Sequence, residues 1–140
     1  KEWRYVQDLA LKCYAEGDYA RTIALAGNYY KKNKDNFHVG DTYVKGLIAA
    51  KKYDQANKVI DEIRILPFEG MSGSHVLYHD IKIALAKQAI DKKQYTKAQK
   101  YIDQARLWPR RLGVGKPYDD LIDDSQEKEL EAVINAKLKK

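Results

Sequence analysis

One cysteine, three prolines and three histidines leave this 140-residue chain few of the devices that reinforce small proteins. Cys13 cannot form an intramolecular disulfide, and three histidines with one cysteine supply few soft ligands for a structural zinc site. No apolar run approaches the ~18 to 20 residues that a membrane-spanning helix needs. The opening Lys1-Glu2-Trp3-Arg4 carries no apolar signal core. Because the first residue is not Met, a fragment of a longer chain is expected. The scarcity of proline, with 44% hydrophobic and 33% charged residues, excludes disorder and suits an ordered, soluble, helix-rich chain. A chain of this length buries roughly 70% of the surface it would expose unfolded, so no staple is required. A soluble setting is expected, with the cytoplasm favoured.

The formal net charge of +6 raises the question of nucleic acid, but the charge is unevenly spread. Residues 1–118 carry 22 basic and 13 acidic groups, whereas residues 119–140 carry 4 and 7. The excess is mild and diluted, and it describes no concentrated basic stripe.

What the chain does contain is a repeat. Gly17-Asp18-Tyr19 leads to Thr22, Lys51-Lys52-Tyr53 to Ala56, and Lys93-Gln94-Tyr95 to Ala98. After each turn apolar residues fall at offsets 0, 3, 4 and 7: Thr22, Leu25, Ala26, Tyr29; Ala56, Val59, Ile60, Ile63; Ala98, Tyr101, Ile102, Ala105. Before each turn a second set recurs: Leu9, Ala10, Cys13, Tyr14; Tyr43, Val44, Leu47, Ile48; Leu85, Ala86, Ala89, Ile90. Each set is one face of a helix. Each unit is therefore a helix, a tight turn and a second helix, and small residues such as Ala10, Ala56, Ala86 and Ala98 permit close backbone approach. A pair cannot hide both stripes by itself, so stacking of about three pairs is the stable outcome.

The first two turn tyrosines are 34 residues apart and the next two 42. Leu66-Pro67-Phe68-Glu69-Gly70-Met71-Ser72-Gly73-Ser74 accommodates the difference as a loop, with Ser72 or Ser74 available to cap the next helix. The spacing predicts helices near residues 3–16, 19–33, 37–51, 54–66, 74–92 and 95–108. A loop over 109–117 follows, then a last helix near 120–139. Asp119, Asp120, Asp123 and Asp124 suit the start of that helix and Lys137, Lys139 and Lys140 its end. The expected architecture is all-α: one domain over 1–140, with repeats at about 3–36, 37–70 and 74–110 and a capping helix at about 119–139.

The 34-residue period, Gly17-Asp18-Tyr19 and the small residues of both helices resemble the tetratricopeptide repeat family over most of residues 3–108. Val6, Gly40 and Lys82 stand where that family usually opens its first helix with an aromatic. The resemblance implies a right-handed α-solenoid and a role in holding another protein. Leu66-Pro67-Phe68-Glu69-Gly70 and Ala105-Arg106-Leu107-Trp108-Pro109, followed by Leu112-Gly113-Val114-Gly115-Lys116-Pro117, are similar to the repeat region of large bacterial proteins of unassigned function. In those proteins such repeats follow β-sandwich domains like those of carbohydrate-active proteins. That similarity implies an alternative role, an accessory or spacer domain of a larger carbohydrate-processing protein.

Catalytic and cofactor chemistry finds little support. Gly113-Val114-Gly115-Lys116 suggests a phosphate loop, but the motif needs glycine where Arg110 stands and Ser or Thr where Pro117 stands, after a strand. The segment reads as a turn. His75 and His79 have the four-residue spacing that lets two imidazoles share a metal, yet Val76 occupies the place of a catalytic glutamate and His38 belongs to another repeat. They read as a surface pair. Cys13 lies on an inner stripe and reads as a packing residue rather than a nucleophile. Tyr14, Tyr19, Tyr29, Tyr43, Tyr53, Tyr95 and Tyr101 fall in repeat register and read as packing residues rather than base-stacking platforms. No enzyme activity, cofactor, metal or nucleic acid is expected.

In the architecture that the resemblance implies, the first helices of successive pairs line a concave groove. Carried onto this chain, the groove comprises Arg4, Gln7, Leu11, Tyr14, His38, Asp41, Lys45, Ile48, Asp80, Ile83, Lys87 and Ile90. Apolar anchors beside Arg4, Lys45 and Lys87 fit a peptide, a partner protein or a neighbouring domain of the same chain. Leu11 and Lys45 occupy sites where the family's clamp for a C-terminal carboxylate uses asparagines, so that ligand is not implied.

Overall fold

A computed structural model describes residues 2–64, 73–107, 109 and 123–138. Among these residues the chain is all-helical, with seven α-helices and no strand. They are α1 (Glu2–Ala15), α2 (Tyr19–Lys32), α3 (Phe37–Ala49), α4 (Tyr53–Glu62), α5 (Gly73–Asp91), α6 (Tyr95–Ala105) and α7 (Ser125–Leu138). The expected loop over 109–117, the glycine run within it, Asp119, Asp120 and most of the 66–74 loop lie outside the described residues.

The three turns are built alike. At the end of α1 the Gly17 N–H donates to the Tyr14 carbonyl and the Asp18 N–H to the Cys13 carbonyl, five residues back. Lys51 and Lys52 repeat the pattern onto Ile48 and Leu47, and Lys93 and Gln94 onto Ile90 and Ala89. This is a left-handed helix cap, and Gly17, Lys51 and Lys93 have φ of 82°, 62° and 60°. Glycine accepts that conformation without a Cβ clash; the two lysines do not. Asp18 then caps α2 by accepting from the Arg21 N–H at 3.2 Å, whereas Lys52 and Gln94 supply no side-chain cap.

The apolar stripes are buried in the same register in every pair. Ala10, Val44 and Ala86 are fully buried on the first helices, and Thr22, Ala56, Ala98, Ala26, Ile60 and Ile102 on the second. A fully buried isoleucine such as Ile60 stabilises by about 1.5–3 kcal/mol relative to exposure. Each helix packs against the next in sequence, and α3 also packs against α1 and α5, and α5 against α7. The larger core cluster runs from α1 to α5; Ala86, Ala89, Ala98, Ile102 and Ile134 form a smaller one that joins α5, α6 and α7.

Close approach is tightest between α2 and α3. A Cβ on Gly27 would lie 2.9 Å from the Tyr43 ring, and a Cβ on Gly40 would lie 2.9 Å from the Tyr30 ring. Each helix thus offers a glycine notch to the other's tyrosine, and the two rings meet at 6.1 Å. Gly40 therefore lacks an aromatic because Tyr30 already fills that space. At the equivalent place in α5, Lys82 is 3% exposed and reaches α4, with Nζ on Asn57 Oδ1, 3.6 Å from Asp61 and 5.0 Å from the Tyr78 ring centroid.

Helix α6 ends at Ala105 rather than near 108, and helix ends or caps differ from expectation in three further places. α4 stops at Glu62 rather than near 66, because Ile63 turns to extended backbone, ψ 135°, and buries its side chain against Gly40. α7 starts at Ser125, with Asp123 and Asp124 before it outside the helix, and Asp123 Oδ1 accepts the Ser125 N–H at 3.0 Å, while the expected start near 120 lies outside the described residues. Ser74 does not cap α5 but sits inside it, with its hydroxyl on Asp41.

Two outcomes are expected from these features. Lys51→Gly and Lys93→Gly should each stabilise by about 0.5–1 kcal/mol, the left-handed penalty less glycine's greater freedom when unfolded, read from urea midpoints. Gly40→Ala should destabilise by about 1–3 kcal/mol through overpacking on the Tyr30 ring, in spite of alanine's better helix propensity.

Candidate binding groove

Packing of α1 against α3 and of α3 against α5 places the expected groove residues on three neighbouring helices. Arg4, Lys45, Asp80 and Lys87 are exposed, and Gln7, Leu11, Tyr14, His38, Asp41, Ile48 and Ile90 are half-buried. Ile83 departs from the pattern: at 3% exposure it is part of the wall and offers no free anchor.

Side chains join the helices across this surface. The Trp3 ring of α1 stacks on His38 of α3, with centroids 4.8 Å apart and planes 6° from parallel. Phe37 packs against the same imidazole at 4.1 Å, and the Arg4 guanidinium lies 5.2 Å from the Trp3 ring centroid. Further along, Lys45 Nζ of α3 lies 5.9 Å from the Tyr14 ring centroid of α1, at the outer reach of a cation–π contact. Asp41 and Ser74 tie α3 to α5: the Ser74 hydroxyl lies 2.6 and 2.8 Å from the two carboxylate oxygens. Burial pushes the Asp41 carboxyl up to about 6, against the lowering effect of Ser74 and Lys45.

The structure gathers Asp80, Ile83 and Lys87 into one notch of about 300 Å3, where Gln88, Asp91 and Gln126 of α7 join them. Arg4 and His38 meet through Trp3 instead. His38 also faces a larger cleft of about 740 Å3 with Trp3, Tyr29 and Phe37, bordered by the Lys34 and Glu62 ion pair at 3.5 Å. Sequence reasoning missed Gln126 and gave Ser74 only a capping role, since the place of each is set by helices distant in sequence. Trp3 could have been found, because it precedes Arg4 at the edge of the same stripe.

His75 and His79 are not the surface pair that spacing suggested. His75 is 3% exposed, and His79 Nε2 lies 3.0 Å from Glu127 Oε1 of α7, itself 2% exposed. The hydrogen bond to Asp80 and then Glu127 raise the His79 imidazole to about 8, opposed by burial. Helix α7 is held a second time by Arg106, which donates to both oxygens of Glu131 at 2.7 and 2.6 Å, while Gln99 donates to one of them at 2.9 Å. Arg106 holds the Glu131 carboxyl down at about 2. Cys13 is buried and unbridged in the first stripe. Among the described residues no three His, Cys, Asp or Glu side chains group to hold a metal ion, and no helix is long and apolar enough to cross a membrane.

Both raised pKa values make folding stability decline as pH rises. The Asp41 contribution is complete below pH 3.8 and lost through about 6; the His79 contribution is complete below 6.5 and lost through about 8. Asp41→Asn retains an acceptor for Ser74 and should stabilise by about 1–2 kcal/mol at pH 7 with no gain at pH 3, read from denaturation across pH. His79→Gln should flatten the fall in stability between pH 6.5 and 8 in the same titration.

No protein-family model and no curated protein matches this sequence.

Proposed function

We propose that the chain is a tetratricopeptide-like solenoid of three helix pairs, capped by α7, whose first helices hold a peptide or partner domain in a concave groove. The observation that carries this reading is the equivalence of the three pairs: the same left-handed cap, the same buried register and the same neighbour relation from α1 to α3 to α5. Helices that repeat in this way leave one side of α1, α3 and α5 uncovered by their own second helices.

The chemistry of that side supports capture of an acidic ligand. Arg4, Lys45 and Lys87 stand exposed along it, one on each successive helix. Cations so placed steer an anionic partner, while half-buried Leu11, Ile48 and Ile90 supply apolar contact beside them. Asp80 and Asp91 flank Lys87 in the notch, which favours a ligand with a basic group near its carboxylate.

The test is selection of peptides from a displayed random library on the wild-type chain, followed by titration of the winners against Lys45→Glu/Lys87→Glu. A loss of about tenfold or more with an unchanged helical circular dichroism spectrum is expected. Equal affinity for the wild-type and doubly substituted chains would remove the groove from the reading.

A further inference from the structure

A further cleft of about 580 Å3 opens between α2 and α4; it shares Lys34 and Glu62 with the 740 Å3 cleft, and none of the groove residues lines it. Its floor includes Tyr43 and Val59, each 8% exposed, and its rim carries Lys31, Lys34 and Lys58. The two acids at the cleft are already engaged. Asp61 pairs with the buried Lys82, and Glu62 pairs with Lys34 at 3.5 Å. Lys31 and Lys58 form no ion pair among the described residues. The available charge of the cleft is therefore positive, and the exposed Lys34 and Glu62 bridge is weak enough to be redirected.

A second observation comes from Tyr30. Tyr30, 1% exposed, lines the cleft, yet its hydroxyl has no hydrogen-bond partner among the described residues. A buried donor left in that state is costly, and native structures seldom retain one without a use. Burial, and next the charge of Glu62, push the phenol up to about 12, so it remains a proton donor across the physiological range. An acceptor that reached this hydroxyl would satisfy it.

We propose that this cleft is a second binding site, for an acidic peptide segment that lays an apolar side chain on Tyr43 and Val59 and its carboxylates beside Lys31, Lys34 and Lys58. The apolar floor sets the peptide's position, the cationic rim selects its charge, and a carboxylate oxygen accepts from the Tyr30 hydroxyl. The site shares none of the groove residues, so the chain would hold a second ligand apart from the first.

Fluorescence anisotropy with a labelled peptide that carries one phenylalanine flanked by glutamates tests this, with a lysine-flanked counterpart as control. Saturable binding of the glutamate peptide is expected, weakened by salt. Lys31→Glu/Lys58→Glu should weaken it about tenfold, while Lys45→Glu/Lys87→Glu leaves it unchanged. Tyr30→Phe should weaken binding several-fold, on the order of one charge-assisted hydrogen bond, and yet raise the melting temperature, because the orphaned hydroxyl is gone. Nitrogen-15 chemical shifts of the wild-type chain supply a readout that needs no variant: titration should move Tyr43 and Val59. The proposal is overturned by absence of saturable binding, by equal affinity for the lysine peptide, by undiminished affinity in the Lys31 and Lys58 variant, or by shifts confined to α1 and α5.

Discussion

Every helix pair in this chain carries more apolar surface than two helices can hide from each other, and the rest of the structure follows from disposing of the remainder. Between α2 and α3 this happens through shape. Tyr43 enters the space that Gly27 leaves open, and Tyr30 enters the space above Gly40. The exchange fixes the distance and rotation of one pair on the next, which in turn sets α1 beside α3. Once that relation holds, Trp3 can stack on His38 and Lys45 can reach the Tyr14 ring. The same rule closes the chain's far end, where Ile134 of α7 completes a small cluster with Ala86, Ala98 and Ile102.

Polar groups do a different job, which is to set register where apolar packing alone would tolerate sliding. Asp41 with Ser74, Lys82 with Asn57, His79 with Glu127 and Arg106 with Glu131 each join helices from different parts of the chain. Two of them hold carboxylates drawn from water, Asp41 half-buried and Glu127 buried, and such withdrawal costs stability unless a donor meets the group. Asp41 meets a hydroxyl and is only partly compensated. Glu127 meets an imidazole that can carry the opposite charge. That contrast makes the α3 to α5 joint and the α5 to α7 joint respond to pH over different ranges.

The helix pairs were legible in the sequence because they depend on short-range periodicity: the stripes at Leu9 to Tyr14 and Thr22 to Tyr29 recur twice, and the structure buries them in that register. The exposure of Arg4, Lys45 and Lys87 was legible for the same reason, since all three fall outside the apolar stripes of α1, α3 and α5. What periodicity cannot convey is a pairing across it. Lys82 and Gly40 read as departures from a pattern, and each is explained by a residue on another helix. Ile83 sits at an outward-facing register position and is buried all the same, in a wall of the notch that Gln126 of α7 also lines. Four aspartates suit the start of the last helix equally well by charge, and charge cannot convey the Asp123 side-chain bond to the Ser125 N–H that precedes α7.

The nesting of α2 into α3, and with it the adjacency of α1 and α3, is open to a direct solution measurement. Proton nuclear Overhauser effects should connect the Gly27 α-protons to the Tyr43 ring, the Gly40 α-protons to the Tyr30 ring, and the Trp3 ring to the His38 ring. A chain that keeps its full helical circular dichroism signal while lacking all three sets would contradict the account, for its helices would then be present without the arrangement on which both proposed binding faces rest.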